Sequence, residues 1–464
     1  MAISIKFLGG TRTVTGSSHL VRTDKSEVLI DGGLFQGRRE QFYAINTTFS
    51  FNPHKVNAMV LSHAHIDHCG NIPSLIKKGL RCKIYSTLAT KDIAKLMLED
   101  SGKIQEEDIR YVNKINRRMS LPLRQPLYTQ KEATKAARIF RPLAYRQRFC
   151  VAKDIFVTLL DAGHILGSSI IVLEIKEGER KIMLGYAVDL GRKNLPFLND
   201  PEIPKGLDYL IIESTYGARL HAPIEEAKIK LQDVVSRTVA RKGKIIIPAF
   251  TLERTQEVIY FLNELIRQRQ IPAVPIYVDS PLATDISDLF QQHLEFFNNE
   301  TRQAIASGNN PFALLNLKFI RQQKDSKALN TDKRPMIILA GSGMCESGRV
   351  LHHLKNNIEE KRNTVLVVGY MAQDTLGRRI VEKVPSVRIF GIEYELNAEV
   401  AVINAFSGHA DRNGLIEFIS GCLPLKRIFL VHGDMEQSQA LQQTLIQGNL
   451  NAYLPDKDEE VILS

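Results

Sequence analysis

The chain has 464 residues, of which 44% are apolar and 24% charged, a balance that excludes a disordered protein and is ample for two globular domains. No apolar run is long enough to cross a bilayer, so we expect no membrane partner. The net charge of +10 favours a polyanionic partner. The five cysteines show no paired spacing and the N-terminus lacks a signal-peptide layout, so we expect free thiols and a cytoplasmic protein.

Short apolar runs separated by glycine-rich turns predict β-strands in the first sixty residues, and the same pattern resumes after residue 154. The strands are predicted at Ile3–Leu8, Ser18–Arg22, Val28–Ile30, Ala58–Leu61, Ile155–Leu160, Ser169–Ile175, Lys181–Tyr186 and Tyr209–Ile212. Helices are predicted after Gly70 and over Thr87–Asp100. The pattern indicates a sheet-rich α/β domain.

Residues 114–153 form a strongly basic window between these two groups of strands. The window holds eleven Lys and Arg residues and a single acid, so its net charge of +10 equals that of the whole chain. Such a scarcity of acids argues against an ordinary salt-bridged surface. We expect Arg117, Arg118 and Arg124 to contact nucleic-acid phosphates. A solvated helix face or a protein-binding surface is the alternative.

The pattern changes near residue 217, where apolar runs begin to alternate with helices of ordinary length. Strands are predicted at Ile245–Pro248, Pro275–Val278, Met336–Leu339 and Thr364–Val368, and helices at Glu253–Arg267, Ala283–His293 and Ser347–Asn357. This alternation predicts a second α/β domain with a parallel sheet.

From about residue 387 short strands return. Strands are predicted at Val387–Tyr394 and Arg427–Val431, and helices at Arg412–Ser420 and Glu436–Gln447. The sequence therefore predicts a middle domain, residues 217–386, inserted into a host formed by residues 1–216 and 387–464.

The strongest chemical signal is the stretch Ser62-His63-Ala64-His65-Ile66-Asp67-His68, which directly follows a predicted strand. Four metal-competent side chains lie within six residues, in a chain that has only 12 histidines. A loop at a strand end can turn the His63 and His65 pair toward one ion and the Asp67 and His68 pair toward a neighbour. His164, Asp189 and His432 follow other predicted strands, and each alone is more often a loop residue than a ligand. Together with the first cluster, they supply about as many ligands as two ions need.

Seven stretches carry a family resemblance. They are Leu29-Ile30-Asp31-Gly32-Gly33, Ser62–His68, Gly163-His164, Asp189-Leu190-Gly191, Glu213-Ser214-Thr215-Tyr216-Gly217, Phe406-Ser407-Gly408-His409-Ala410-Asp411 and Leu430-Val431-His432-Gly433. From about residue 3 onward the chain resembles the metallo-β-lactamase superfamily, and specifically its β-CASP nuclease branch. That branch includes bacterial ribonuclease J and the endonuclease that cleaves eukaryotic pre-mRNA 3′ ends. The resemblance implies an α/β fold, a metallo-β-lactamase αββα sandwich with an inserted β-CASP α/β domain.

The resemblance also implies the roles of the site residues. His63, His65 and His164 would hold one zinc ion and Asp67, His68 and His432 the other, with Asp189 bridging, which makes two Zn²⁺ per chain. Asp31 would orient a ligand or the loop. The two ions would activate a water as hydroxide. Asp67 would be a catalytic residue as well as a metal ligand, because it takes part in this activation. His409, kept protonated by Glu213, would be the general acid.

A glycine-rich turn, Ala340–Arg349, follows another predicted strand. Backbone N–H groups at such a junction bind anions, and the turn lacks the lysine of a nucleotide-triphosphate loop. We expect an RNA phosphate to contact Ser342, Gly343, Arg349 and Arg378. The sequence departs from the family pattern before Asp189, where Ala187-Val188 replaces the usual Ser-Gly. These bulkier residues leave open which conformation the backbone adopts at this turn.

The sequence therefore predicts a zinc-dependent nuclease acting on single-stranded RNA, with two further functions left open. These are a small-molecule hydrolase, such as a thioesterase or lactonase, and an RNA-binding scaffold without catalysis. Endonuclease action is favoured over 5′-exonuclease action, because the chain continues only about 30 residues beyond His432. Single-stranded DNA as a substrate and the oligomeric state stay open, a homodimer being one option.

Overall fold

A computed structural model of the chain describes residues 3–37, 39–369 and 371–464. It divides the chain into two compact units. The host unit comprises Met1–Leu220 and Gly408–Ser464, and the inserted unit comprises His221–Ser407.

The strands of the described residues, in chain order, are β1 (Ser4–Gly9), β2 (Ser18–Arg22), β3 (Glu27–Ile30), β4 (Ala58–Val60), β5 (Lys83–Ser86), β6 (Phe140–Pro142), β7 (Phe149–Ala152), β8 (Ile155–Asp161), β9 (Ser169–Glu177), β10 (Arg180–Ala187), β11 (Tyr209–Glu213), β12 (Lys244–Pro248), β13 (Ile276–Val278), β14 (Leu317–Phe319), β15 (Met336–Ala340), β16 (Thr364–Val367), β17 (Ser386–Ile389), β18 (Ile392–Glu395), β19 (Glu399–Val402), β20 (Arg427–Val431), β21 (Ala452–Tyr453) and β22 (Glu460–Ile462). The α-helices are α1 (Arg39–Thr47), α2 (Ile66–Cys69), α3 (Ile72–Lys77), α4 (Leu88–Arg118), α5 (Gln130–Ala136), α6 (Ile224–Ala240), α7 (Arg254–Arg267), α8 (Pro281–Gln292), α9 (Asn299–Ala306), α10 (Gln323–Thr331), α11 (Arg349–Asn357), α12 (Leu376–Val381), α13 (Arg412–Cys422) and α14 (Met435–Gln447).

Two seven-stranded sheets form the centre of the host unit. Their strand orders are β22-β1-β2-β3-β4-β5-β6 and β21-β20-β11-β10-β9-β8-β7. The core between them includes Val28 and Val60 from the first sheet and Leu173 and Phe429 from the second. On its other face, the second sheet packs against α13 and α14 in a separate apolar cluster. The predicted α/β class and two-sheet sandwich are therefore confirmed.

Helix α4 is much longer than predicted, running from Leu88 to Arg118 where the sequence predicted an end at Asp100. The Ser-Gly pair at positions 101 and 102 resembles a helix stop, but here the glycine has a packing function. A Cβ on Gly102 would lie 2.8 Å from Gln130 N and 2.9 Å from Thr129 C. Glycine therefore lets the start of α5 approach the middle of α4 closely.

The inserted unit is built on a six-stranded sheet in the order β14-β13-β15-β12-β16-β19, in which every neighbouring pair is parallel. Helices cover both faces of the sheet. Val258 and Leu262 of α7 pack on the face that carries Ile245 and Ile337. On the opposite face, the neighbours Ile246 and Ile338 pack with α11.

The inserted unit extends beyond the predicted return at residue 387. Strand β19 pairs in parallel with β16 at one edge of the six-stranded sheet, so the chain returns to the host only at Gly408. The single strand predicted over Val387–Tyr394 is a hairpin of β17 and β18. Its turn residues Phe390 and Gly391 both have positive φ, 52° and 82°, as type I′ turns require. The usual Asn-Gly or Asp-Gly signal is missing there.

Among the described helices, none combines the length and the apolar character that crossing a bilayer demands. The five cysteines carry free thiols, as the sequence predicted.

Candidate metal centre

The candidate metal centre lies in the host unit, where four strands of the two sheets end. His63 and His65 follow β4, and Asp67 and His68 lie on the short helix α2 that comes next. His164 follows β8, Asp189 follows β10 and His432 follows β20. The structure brings these seven predicted ligands together in two groups that share Asp189.

The first group consists of His63, His65, His164 and Asp189. His63 Nε2 lies 3.1 Å from Asp189 Oδ2 and 3.1 Å from His65 Nδ1. His164 Nε2 lies 3.4 Å from the same carboxylate oxygen and 3.3 Å from His65 Nδ1. Four ligand atoms therefore surround one small space.

The second group consists of Asp67, His68 and His432, with the other oxygen of Asp189 beside them. His432 Nε2 lies 3.4 Å from Asp67 Oδ2 and 3.4 Å from His68 Nε2. His68 Nε2 lies 3.5 Å from Asp189 Oδ1. Each oxygen of Asp189 thus faces a different group of ligand atoms.

These distances fit zinc. Zn–N bonds of 2.0–2.1 Å in a tetrahedron put neighbouring ligand atoms about 3.3–3.4 Å apart, close to the separations in both groups. Asp189 Oδ1 is buried and accepts no hydrogen bond within the described residues, although His432 Nδ1 lies 3.1 Å away. A buried carboxylate oxygen without a donor is the environment that a cation satisfies.

The pKa values of the histidines also favour metal binding at this site. Burial lowers the pKa of His63 to about 4 and that of His164 well below its ordinary range. Both imidazoles are therefore neutral at neutral pH, as metal ligands must be. Burial acts to lower the pKa of His68 as well, but Asp189 and Asp31 outweigh it and raise that pKa. Between these two carboxylates, a positive charge is stabilised.

The backbone turns abruptly where the site residues emerge. Asp31, Asp189 and His432 have φ of 56°, 59° and 48°, in the left-handed region that few non-glycine residues adopt. The unusual Ala187-Val188 pair before Asp189 does not disturb this turn. Ala187 packs in the cluster under α13 and α14, and Val188 packs between the two sheets.

Asp31 orients one ligand of each group, a role the sequence predicted only in outline. Its Oδ2 accepts from His68 Nδ1 at 2.7 Å, which turns His68 Nε2 toward the site. Its two oxygens also accept from Ser62 N at 2.8 Å and Ser62 Oγ at 2.7 Å. Since Ser62 Oγ donates to Asp31, it accepts from His63 Nδ1 at 3.0 Å, which leaves His63 Nε2 for a metal.

Two orienting residues escaped the sequence analysis. Tyr186 donates from its hydroxyl to Asp31 Oδ2, and Thr215 Oγ1 lies 3.4 Å from His432 Nδ1. A tyrosine three residues before a ligand, on the strand face that carries the core, is the signal that identifies Tyr186. Thr215 lies within the quoted Glu213–Gly217 stretch, where only the glutamate was given a role.

His409 and Glu213 form a pair beside the metal centre. His409 Nδ1 lies 3.1 Å from Glu213 Oε2, and the His409 ring centroid is 4.7 Å from that of His164. Glu213 is fully buried at the end of β11, where it also accepts from Leu190 N. Burial acts to lower the pKa of His409, but Glu213 and Asp189 outweigh it and raise the pKa to about 9. His409 therefore carries a proton beside the metal ligand candidates.

The basic window is divided between several elements. Arg117 and Arg118 end α4 and are exposed, and Arg124 lies over the Tyr43 ring, 5.2 Å from its centroid. Two other arginines of the window, Arg146 and Arg148, pair with Glu202 and Glu174, acids outside the window. The excess charge is thus partly compensated. Its exposed part is spread along the window, since Lys131, Lys135, Arg138 and Arg141 are exposed as well as Arg117, Arg118 and Arg124.

The predicted phosphate-binding residues of the inserted unit have different environments. Ser342 and Gly343 lie in the loop between β15 and α11, as predicted. Arg349 is held within the protein, where it donates to Asp279 Oδ1 at 2.6 Å and to the carbonyls of Ile320 and Arg321. Arg378 pairs with Glu382 at 2.6 Å.

Three family models match the chain. A metallo-β-lactamase superfamily domain matches residues 20–206, a Beta-Casp domain matches residues 255–380, and a Zn-dependent metallo-hydrolase RNA specificity domain matches residues 393–455. With the two-sheet fold and the ligand groups that share Asp189, they define a metal-dependent hydrolase of the metallo-β-lactamase type.

Similar proteins narrow this class. The chain is 35% identical to ribonuclease TTHA0252 of Thermus thermophilus, over 94% of both chains. It is 32% identical to the transcription termination factor FttA of Methanosarcina mazei, over 93% of this chain and 67% of that protein. A crystal structure of a protein of unknown function from Enterococcus faecalis matches all of both chains, with a TM-score of 0.57 and 13% identity, and supports the fold alone. The chain belongs to the β-CASP family of metal-dependent nucleases.

Proposed function

We propose that the protein is a ribonuclease that holds two zinc ions and cuts single-stranded RNA at internal positions. The proposal depends on one observation: the two oxygens of Asp189 face different ligand groups, next to the buried Glu213 and the half-buried His409. The ribonuclease name of a relative similar over nearly its whole length supports RNA as the substrate. The RNA specificity model that matches residues 393–455 supports it as well.

The seven clustered side chains would hold the metal. His63, His65 and His164 would bind one ion, Asp67, His68 and His432 the other, and Asp189 both. Bound zinc supplies positive charge that stabilises phosphate oxygens and makes water a stronger acid. The hydrogen bonds of Asp31, Ser62 and Tyr186 keep these ligands in position before the metal arrives.

His409 would protonate the leaving oxygen of the cleaved phosphodiester. Its Nδ1 faces Glu213, so Nε2 is the nitrogen that delivers a proton. The buried carboxylate keeps the ring charged before the transfer and fixes its orientation.

Basic and loop residues would hold the RNA chain. The exposed end of α4 with Arg117, Arg118 and Arg124 would supply positive charge, and the loop at Ser342 and Gly343 would supply the Ser342 hydroxyl and the Gly343 N–H. Arg349 has a structural role instead, because it donates hydrogen bonds to Asp279 and to two backbone carbonyls. The five free cysteines agree with a cytoplasmic protein.

A circular RNA tests the cutting mode, because an endonuclease opens it and an exonuclease has no end to attack. The zinc-loaded protein should linearise a circular single-stranded RNA and cut an end-labelled linear RNA into internal fragments. Chelation should abolish both activities, and added zinc should restore them. Mononucleotides from the linear RNA with an intact circle would reject internal cutting. Hydrolysis of a thioester or lactone without any RNA cleavage would reject the nuclease.

A further inference from the structure

The inserted unit exposes an aromatic ring where its parallel sheet is best suited to bind a ligand. Phe250 follows β12 and is 45% exposed, whereas most phenylalanines of the unit are buried. Its backbone is fixed, because Thr255 Oγ1 donates to Phe250 O at 2.7 Å. The ring thus belongs to an anchored loop.

One face of the Phe250 ring lies on Gly343. A Cβ built on Gly343 would be 2.8, 2.9 and 3.0 Å from Cδ2, Cε2 and Cγ of the ring. A point nearly equidistant from three consecutive ring carbons lies over the face of the ring and not at its edge. The glycine backbone therefore supports one face, and the exposure of the side chain belongs to the rest of the ring, including its opposite face.

The position of this ring in the sheet suits a ligand. Strands β12 and β15 are parallel neighbours, so the loops that follow them lie side by side at the carboxyl ends of the strands. The two loops contact each other, since the Phe250 ring packs on Gly343 and Thr251 borders Gly341. The carboxyl ends of the strands are the edge at which open α/β sheets bind ligands.

The two loops combine an apolar ring with polar groups. A Cβ on Gly341 would lie 3.4 Å from Thr251 Cγ2 and 3.9 Å from Ser280 Oγ, so both hydroxyl-bearing residues border the glycine-rich loop. Ser342 adds a third hydroxyl. A flat apolar surface with hydroxyls nearby suits a flat heterocycle with polar edges.

We infer that the exposed part of the Phe250 ring stacks on a base of the single-stranded RNA and holds it against the loops after β12 and β15. The inference rests on the proposed function, since it takes RNA as the ligand. Stacking is tolerant of base identity, so this subsite would add affinity at one nucleotide without reading a sequence. In this role Phe250 binds RNA and takes no part in the chemistry at the metal centre.

The test compares Phe250→Ala with Phe390→Ala, which removes another exposed phenylalanine, in the turn of the β17–β18 hairpin. Both substitutions are made in a His409→Ala background, so that RNA stays intact during binding measurements. Phe250→Ala should weaken binding to single-stranded RNA about 5- to 150-fold, the worth of one stacked base. Phe250→Trp should restore the affinity, and Phe390→Ala should leave it unchanged.

A fluorescent base analogue identifies the stacked nucleotide. With 2-aminopurine placed at successive positions of an oligonucleotide, one position should be quenched on binding, and Phe250→Ala should remove that quenching. Equal affinity and equal quenching in the Phe250→Ala protein would overturn the inference. Failure of the proposed function is distinct, because the zinc-loaded parent protein would then not cleave RNA at all. Zinc content and hydrolysis of a small chromogenic phosphodiester should be the same in the Phe250→Ala and parent proteins.

Discussion

The Tyr186 hydroxyl donates a hydrogen bond of 2.8 Å to Asp31 Oδ2, which connects the two sheets of the host unit beneath the metal centre. Tyr186 lies on β10, three residues before Asp189, and Ser17 Oγ donates to its hydroxyl oxygen at 2.9 Å. Asp31 in turn orients His68 directly and His63 through Ser62. One phenol group therefore influences a ligand in each of the two groups.

Tyr186→Phe should weaken zinc binding about 10- to 100-fold, the usual effect of losing an outer hydrogen bond at a metal site, while the fold is kept. The loss arises because Asp31 loses a donor and orients His68 less firmly. Competition with a chromogenic chelator measures the affinity. Tyr209→Phe is the matched control, because this buried tyrosine on β11 bonds to Ser464 and not to the site. Unchanged zinc affinity in Tyr186→Phe would remove Tyr186 from the metal centre.

His409→Ala should lower RNA turnover about 10²- to 10⁴-fold, since the leaving oxygen loses its proton donor. Zinc content should stay near that of the parent protein. The loss should shrink sharply with a p-nitrophenyl phosphodiester, whose leaving group needs no proton. An equally large loss with that substrate would exclude His409 as the general acid. His54→Ala is the control, because His54 is exposed and lies outside the ligand groups.

Glu213→Gln tests whether the carboxylate acts through His409. The amide keeps the shape of the side chain and an oxygen for Leu190 N, but it removes the charge beside His409. Turnover on RNA should fall in Glu213→Gln, and combining it with His409→Ala should add little further loss. Independent, multiplicative losses in the double variant would show that the two residues act separately.

Asp279 should stabilise the inserted unit in a pH-dependent manner. The carboxylate is fully buried and accepts from Arg349 at 2.6 Å, His353 Nε2 at 2.6 Å and Ser326 Oγ at 2.5 Å. Burial opposes ionisation, but these three donors together lower the pKa of Asp279. A lowered folded-state pKa stabilises the fold above the unfolded pKa of about 3.9, and this stability is lost as the pH falls below that value.

Asp279→Ala should therefore cost about 3–5 kcal/mol at pH 7, because Arg349 and His353 lose their buried partner. The difference from the parent protein should narrow as the pH falls below about 4. Denaturant unfolding at several pH values measures both effects. Arg349→Ala should also lower the unfolding midpoint. A parent-like midpoint with a reduced salt dependence of RNA binding would instead make Arg349 a phosphate contact.

Reversing Arg117, Arg118 and Arg124 to Glu should weaken RNA binding and flatten its dependence on salt. Each phosphate contact contributes a slope of about 0.7 in a plot of log affinity against log salt for single strands. Turnover at saturating RNA should change little, because these residues do no chemistry. Reversing Arg302, Lys324 and Lys327 of the inserted unit changes the net charge equally and is the control. An equal loss in both triple variants would indicate a bulk charge effect and no local contact.

The clustering of the seven candidate ligands could be predicted because the sequence places them where strands end, four of them within six residues. The orienting residues were harder to predict, since Tyr186 joins the site through a contact between two sheets. Helix α4 was predicted too short because Gly102 was read as a helix stop. The glycine instead lets α5 approach α4 closely, and a single sequence does not distinguish these two uses of glycine. Strand β19 lies far in sequence from its neighbour β16, so the return to the host unit was placed too early.

The division of the host unit into two stretches of sequence imposes an order on its folding. Strand β20 lies inside the second sheet, between β21 and β11, and His432 follows it directly. During synthesis the whole inserted unit leaves the ribosome before β20 exists, so it can fold while the host is still an open sandwich. A nascent chain therefore carries His63, His65, His164 and Asp189 long before the second group of ligands is complete. The second ligand group stays incomplete until His432 has been made and β20 has joined the sheet.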